Sequence, residues 1–232
     1  MNRKSQYSIF LFLIIFSSCN LSKEPASLRD IDTRDIFFDY RVTGQEGYDK
    51  LTVFIQFRYG DFDGETILLE KPARVELDGE VFPADSSVRT GYYYELYKPI
   101  ETFAGKHKIM FTGFDNKQQE EEFEFTPLRL LSEIPDTLRR ADLQLELTGA
   151  GEKDSVRVLL TDTAFYSNGI NRVDSVINGR LFLTKQDLQS LTNGPVQLEL
   201  LIEKESRLKS APGAMGRLLV TYSVRREFFL KD

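Results

Sequence analysis

Apolar and polar residues alternate along most of this chain, which is the pattern of β-strands that bury one face. The alternation is strongest in two stretches of the first half and three of the second. Its apolar positions are Ile36, Phe38, Tyr40 and Val42; Leu51, Val53, Ile55 and Phe57; Leu143, Leu145 and Leu147; Val196, Leu198, Leu200 and Ile202; and Leu218, Val220, Tyr222 and Val224. The pattern therefore predicts a mainly β protein.

Two dipeptides predict tight hairpins. Asp78-Gly79 separates the strands predicted over residues 73–77 and 80–82, and Asn178-Gly179 separates those over 172–177 and 180–183. Both dipeptides suit the two-residue turn that requires positive φ at each central position. A capping box from Thr184 to Asp187 predicts a helix of one or two turns that ends near residue 191.

The predicted strands divide into two groups of about seven, each with the turn spacing of an antiparallel β-sandwich. Thr126-Pro127 breaks the pattern between the groups. Residues 29–127 carry 12 basic and 21 acidic side chains, a net charge of −9, whereas residues 128–232 carry 15 and 14, a net charge of +1. We therefore predict two tandem sandwich domains, 29–127 and 128–232, that each fold alone. Both resemble immunoglobulin-like or fibronectin-like sandwiches in pattern, although the Cys…Trp…Cys signature of immunoglobulins is absent.

The N-terminus has the order of a secretory signal. Basic residues come first, an apolar run over residues 9–16 follows, and Ser17-Ser18 precede Cys19. The run of eight residues is far shorter than the 20 or so of a membrane-spanning helix. A cysteine at this point resembles the lipobox of bacterial lipoproteins, although Phe16 stands where Leu is commonest. The resemblance implies that residues 1–18 are removed, that Cys19 is lipidated, and that residues 19–28 form a polar tether.

The composition excludes several functions. From Cys19 onward the chain has 28 basic and 36 acidic residues, a net charge of −8, which argues against a nucleic-acid-binding protein. It has one cysteine, one histidine and no tryptophan. His107 follows Lys106 and precedes Lys108 on a predicted strand, where we expect an exposed histidine of an edge strand. No nucleophile motif accompanies it, so the sequence predicts neither a catalytic site nor a cofactor.

Two segments are candidate binding sites. In residues 92–97, Tyr93, Glu95 and Tyr97 share one face of a strand, and Glu95 favours solvent on that face. Outward tyrosines suit a protein or sugar partner, while the alternative is that they cap the sandwich edge. In the second segment, Asp61, Asp63 and Glu65 offer oxygen ligands for a cation such as Ca²⁺, while the alternative is a polar hairpin tip.

The sequence resembles lipoproteins of Bacteroidota envelopes in its signal and β-rich pattern. The resemblance implies a non-enzymatic module that is lipid-anchored to the outer membrane, on its periplasmic or surface-exposed face, and contacts an envelope protein. The alternative is a glycan-binding accessory lipoprotein of an uptake system. We favour a protein partner because sugar-binding platforms usually contain tryptophan.

Overall fold

The computed structural model describes residues 31–152, 154–164, 169–209 and 215–232. Within these residues the chain forms sixteen strands, one α-helix and two short 3-10 turns, so the predicted all-β fold is confirmed. The strands of the first half are β1 (Ile36–Gln45), β2 (Lys50–Tyr59), β3 (Arg74–Leu77), β4 (Glu80–Val81), β5 (Ala84–Ser87), β6 (Gly91–Pro99), β7 (Gly105–Thr112) and β8 (Gln118–Phe125).

The second half has the same style of short strands, followed by two long ones. Its strands are β9 (Arg129–Leu130), β10 (Thr137–Arg139), β11 (Leu143–Thr148), β12 (Ser155–Asp162), β13 (Ile170–Ser175), β14 (Arg180–Leu183), β15 (Gly194–Arg207) and β16 (Gly216–Lys231). The helix α1 (Lys185–Gln189) lies between β14 and β15, and both hydrogen bonds of the predicted capping box are formed.

One nine-stranded sheet runs through both halves of the chain. Its order is β13-β12-β15-β16-β1-β2-β6-β5, and β10 also pairs with β16. Strand β16 pairs with β15 along almost its whole length, and its first half pairs in parallel with β1, from Phe38 opposite Gly216 to Gln45 opposite Ser223. The last strand therefore completes the sheet to which the first strand belongs.

Two smaller sheets cover the inner face of this sheet and form two sandwiches. The sheet β4-β3-β7-β8 packs on the first half, where the Phe111 ring lies 5.1 Å from Phe38 and 5.2 Å from Phe57. Phe125 of β8 contacts Tyr222 of β16 at 5.8 Å. The sheet β14-β11-β9 packs on the second half of the large sheet. The buried side chains of both sandwiches form one contiguous core.

Both predicted hairpin turns are present. Asp78 and Gly79 have φ of 51° and 88°, and Asn178 and Gly179 have φ of 51° and 72°. These are the left-handed conformations for which Gly, Asn and Asp are preferred. The proposed boundary between residues 127 and 128 stays a prediction, but the large sheet does not divide at that point, because β16 belongs to both sandwiches.

Candidate functional site

Strand β6 places the predicted tyrosines on the outer face of the nine-stranded sheet. Tyr94 and Leu96 are buried, whereas the side chain of Tyr97 is 59% exposed and those of Tyr93 and Glu95 are half-buried. The alternation predicted from the sequence is therefore present. It follows from the strand geometry, since successive side chains point to opposite faces.

Each outward tyrosine donates a hydrogen bond to a carboxylate. The Tyr97 hydroxyl lies 2.6 Å from Glu95 Oε2, and the Tyr93 hydroxyl lies 3.0 Å from Asp85 Oδ2 on β5. These hydrogen bonds to carboxylates raise the pKa of both tyrosines. Both hydroxyls are thus protonated donors at neutral pH, and two carboxylates lie beside two aromatic rings.

The aromatic surface continues across the neighbouring strands. The ring of Phe54 on β2 stacks on Tyr93, with centroids 5.3 Å apart and an interplanar angle of 19°. The guanidinium group of Arg41 on β1 also lies over the Phe54 ring, 5.6 Å from its centroid. We call Tyr93, Glu95, Tyr97 and Phe54 the tyrosine face. Phe54 could not be assigned to this surface from the sequence, because only the pairing of Phe54 with Glu95 brings it next to Tyr93.

The acidic turn after β2 lies against the same sheet face. The ring of Phe62 is 4.6 Å from the Arg217 guanidinium and 6.0 Å from the Phe37 ring. Arg58 Nη1 on β2 donates a hydrogen bond to the Gly64 carbonyl oxygen at 3.0 Å, and this bond attaches the turn to the strand. An aromatic contact and a hydrogen bond to a backbone carbonyl therefore fix the turn to the sheet.

The structure does not bring Asp61, Asp63 and Glu65 together as ligands. Asp61 Oδ1 accepts a hydrogen bond from the Asp63 backbone N–H at 3.0 Å, as in an ordinary Asx turn. Within the described parts of the chain, no group of three or more His, Cys, Asp or Glu side chains is placed to hold a metal ion. The arrangement fits the alternative interpretation of this segment, a polar hairpin tip.

Strand β1 carries a fully buried carboxylate that the alternation of its residues does not predict. Asp39 is 0% exposed on the outer side of β1, and its Oδ1 accepts from Arg217 Nε at 2.9 Å. Its Oδ2 accepts from Arg41 Nη2. The two arginines remain 33% and 24% exposed, so the carboxylate holds two partly solvated guanidinium groups under the aromatic surface.

We predict that Asp39→Ala lowers the free energy of unfolding by about 2–4 kcal/mol. Removing one partner of a buried pair typically costs about 3–5 kcal/mol, and the partial exposure of both arginines reduces this cost. The measurement is equilibrium unfolding in urea. Glu205→Gln is the matched control, because Glu205 also pairs with Arg217, at 3.2 Å, but its side chain is 58% exposed. We expect the control to cost less than about 1 kcal/mol. Equal costs for the two variants would contradict a structural role for Asp39.

His107 differs from its expected environment. Its strand β7 lies between β3 and β8 rather than at an edge, and its side chain is only 12% exposed. The ring stacks on Phe103 at 3.8 Å, and its two nitrogens lie 2.7 Å from Asp78 Oδ2 and 2.7 Å from the Phe103 carbonyl oxygen. The expectation of an exposed edge histidine is wrong, because Asp78 of the hairpin turn and Phe103 enclose the ring.

The acidic stretch of β8 has one exposed and one buried side. Glu120, Glu122 and Glu124 are exposed, while Phe123 and Phe125 are buried. Glu121 lies on the buried side at 4% exposure, and its Oε2 accepts from the Lys209 backbone N–H at 2.9 Å. This carboxylate thus links β8 to the end of the β15–β16 hairpin.

Comparisons with known proteins give no family. No family model matches the sequence, and no curated protein matches it. Among solved structures, the chain is similar to DIP-gamma IG1+IG2 at 12% identity, over 83% of this chain and 99% of that one, with a TM-score of 0.23.

Two bacterial structures are also similar. Activated alpha-2-macroglobulin of Escherichia coli matches at 16% identity, over 85% of this chain and 20% of that one, with a TM-score of 0.27. SGBP-B from the mixed-linkage glucan utilization locus of Bacteroides ovatus matches at 12% identity, over 75% of this chain and 53% of that one, with a TM-score of 0.20. Similarities at these scores carry no argument about function.

Cys19 and the tether over residues 19–28 lie outside the described residues. In the part of the chain that is described, none of the helices has the length and apolar character needed to cross a membrane. Lipidation of Cys19 therefore stays a prediction of the sequence.

Proposed function

We propose that this protein is a lipid-anchored, non-enzymatic module of the cell envelope that binds a protein partner through the tyrosine face. The proposal combines the lipobox resemblance at Cys19 with the outer surface of β6 and β2. It also retains the predicted location, which is the periplasmic or surface-exposed face of the outer membrane.

The exposure of Tyr97 is the observation that carries the partner proposal. Tyr97 is 59% exposed on a sheet face, where its ring offers apolar contact area and its hydroxyl lies beside Glu95. Aromatic residues and arginine are enriched in protein interfaces, and a few of them supply most of the binding energy. Tyr97, Tyr93 and Phe54 thus supply the aromatic contacts expected of such an interface, and Glu95 supplies a hydrogen-bond acceptor.

We predict that the double variant Tyr93→Ala/Tyr97→Ala loses its envelope partner. Truncating an interface aromatic often costs about 2 kcal/mol or more of binding. The exposed Tyr97 contributes within about 0.5 kcal/mol to folding, and the half-buried Tyr93, stacked on Phe54, contributes about 0.5–1.5 kcal/mol. The measurement is co-purification of envelope proteins after crosslinking in cells, together with the melting temperature of the purified variant. Loss of a specific crosslinked protein, with a melting temperature lowered by no more than about 2–6 °C, is the expected result.

Tyr59→Ala is the control for this experiment. Tyr59 is 52% exposed, similar to Tyr97, but it lies at the other end of β2. The control variant should keep the crosslinked protein. A large fall in the melting temperature of the double variant would show that the tyrosines are needed for folding, and crosslinks equal to those of the wild type would contradict the binding proposal.

Glycan binding is the second candidate function. The hydrogen-bonded pairs Tyr97–Glu95 and Tyr93–Asp85 place carboxylate acceptors beside aromatic rings, as a site for sugar hydroxyls requires. The sequence has no tryptophan, which favours a protein over a sugar. Retardation of the protein in gels that contain a soluble polysaccharide, and loss of this retardation in the double variant, would favour the glycan.

A further inference from the structure

A cavity of about 690 Å³ opens at the side of the first sandwich, away from the tyrosine face. It lies where the chain crosses from β4 in the four-stranded sheet to β5 in the nine-stranded sheet. Its size is in the range of sites for small molecules. We call it the lateral cavity, and its wall is mainly apolar, with Leu69, Ala73, Val75, Val81, Phe82 and Tyr94 among the lining residues.

Tyr94 brings a buried hydroxyl group to this apolar wall. The residue is 3% exposed, and its hydroxyl oxygen accepts from the Leu69 backbone N–H at 2.6 Å. Among the described residues, none accepts the hydroxyl hydrogen. Burial raises the pKa of Tyr94 to about 12, so this hydrogen is present at neutral pH. A buried donor without an acceptor is costly, and a ligand that accepts from it removes this cost.

Lys71 supplies a positive charge at the rim of the same cavity. Its side chain is exposed, and it forms no ion pair with any residue that the structure describes. The other cation at the rim, Arg74, already pairs with Glu76, at 2.9 Å. Lys71 follows Leu69 by two residues, and the backbone N–H of Leu69 contacts the Tyr94 hydroxyl. The cavity thus combines an apolar wall with a cation and a hydroxyl donor, both close to residues 69–71.

We infer that the lateral cavity binds a small apolar molecule that carries one carboxylate, such as a medium-chain fatty acid. The apolar body packs against Leu69 and Val81, which have accessible surface in the cavity, and the carboxylate accepts from the Tyr94 hydroxyl and faces the Lys71 ammonium group. Charge complementarity selects this ligand, because the Lys71 ammonium attracts a carboxylate and repels a cation, whereas a neutral ligand gains nothing from it.

The test uses the mature chain from residue 19 with Cys19→Ser, which keeps every described residue. Its ligands are decanoate, decanol and decylamine, whose apolar chains are the same, and binding is measured by calorimetric titration. We expect decanoate to bind at least about tenfold more tightly than the other two, because hydrogen bonds to charged groups contribute more than neutral ones. Equal affinities for decanoate and decanol, or no binding of decanoate, would overturn the inference.

Two variants test the two polar groups separately. Lys71→Gln should weaken decanoate by about two- to fivefold, as for an exposed ion pair, and leave decanol unchanged. Tyr94→Phe should weaken decanoate by about tenfold or more. The melting temperature shows whether Tyr94→Phe still folds, and if it does not, Lys71→Gln alone decides.

Lys50→Gln is the matched control, because Lys50 lies on β2 outside the cavity lining, and it should bind decanoate like the parent chain. Decanoate affinity that is the same in Lys71→Gln as in Lys50→Gln would overturn the role of Lys71 and with it the inference. The double variant Tyr93→Ala/Tyr97→Ala should bind decanoate normally, so this inference and the proposed partner binding can fail independently.

Discussion

Cys19→Ser should release the protein from the membrane fraction of the cell. Serine lacks the thiol that the lipid chains modify, and two acyl chains are what give stable anchoring. The apolar run over residues 9–16 is too short to replace them as a membrane-spanning helix. Fractionation with immunoblotting measures the distribution, and metabolic labelling with a palmitate analogue should mark only the wild type.

Ser18→Ala is the matched control for the anchoring experiment. It keeps a small residue beside the processing site and leaves the thiol of Cys19 intact, so we expect normal labelling and membrane retention. If Cys19→Ser is retained as well as this control and the wild type, the protein is held by something other than a lipid on Cys19, and the lipoprotein proposal is wrong.

Separating residues 28–127 from residues 128–232 should abolish the cooperative melting of the first fragment. That fragment lacks β16, whose Leu218 and Tyr222 are only 3% and 4% exposed against the first sandwich. Each such side chain contributes about 1.5–3 kcal/mol by burial, and a whole domain is stable by only about 5–15 kcal/mol. Without β16, strand β1 also loses one of its two neighbouring strands from Phe38 to Gln45 and becomes an edge strand paired only with β2.

The two fragments should instead fold together. When they are produced in the same cell with a tag on residues 128–232, we expect the tag to purify both, and the complex to melt in one transition. A first fragment that melts cooperatively by itself, and does not bind the second, would show that the two units are independent, as the charge step and the break at Thr126-Pro127 predict.

The fold class could be predicted because the alternation of apolar and polar residues and the residue preferences of tight turns depend only on residues that are adjacent in sequence. The residue pairs Asp78-Gly79 and Asn178-Gly179 specify their hairpins through backbone conformation alone. The pairing of β1 with β16 could not be predicted, because parallel strands are not joined by a turn that marks them. Strand β5 was missed because all four of its residues are exposed and show no alternation.

The apolar pattern does not predict the full length of β16, and the reason is electrostatic. Its apolar positions stop at Val224 and resume at Phe228. Arg226 occupies the position between them, where it pairs with Glu46 on the β1–β2 connection. A charged side chain at an inward position predicts the end of a strand. In the structure β16 continues past Arg226 to Lys231, and the ion pair with Glu46 takes the place of an apolar contact.

The candidate site was predicted in part. Alternation correctly identifies Tyr93, Glu95 and Tyr97 as the outward set of β6, since this needs only the period of a strand. The stacking of Phe54 on Tyr93 depends on the register of β2 against β6, and the pairing of the buried Asp39 on β1 depends on Arg217 from β16. Neither can be read from one strand, because each requires the positions of two elements relative to one another.

A photo-crosslinking amino acid at position 97 tests the binding proposal most directly. It is introduced into the full-length protein in living cells, with the same substitution at position 59 as the control. The proposal predicts an adduct with one specific envelope protein at position 97 and none of this adduct at position 59. The same adducts at both positions, or no adduct at position 97, would contradict the proposal that the tyrosine face binds a protein partner.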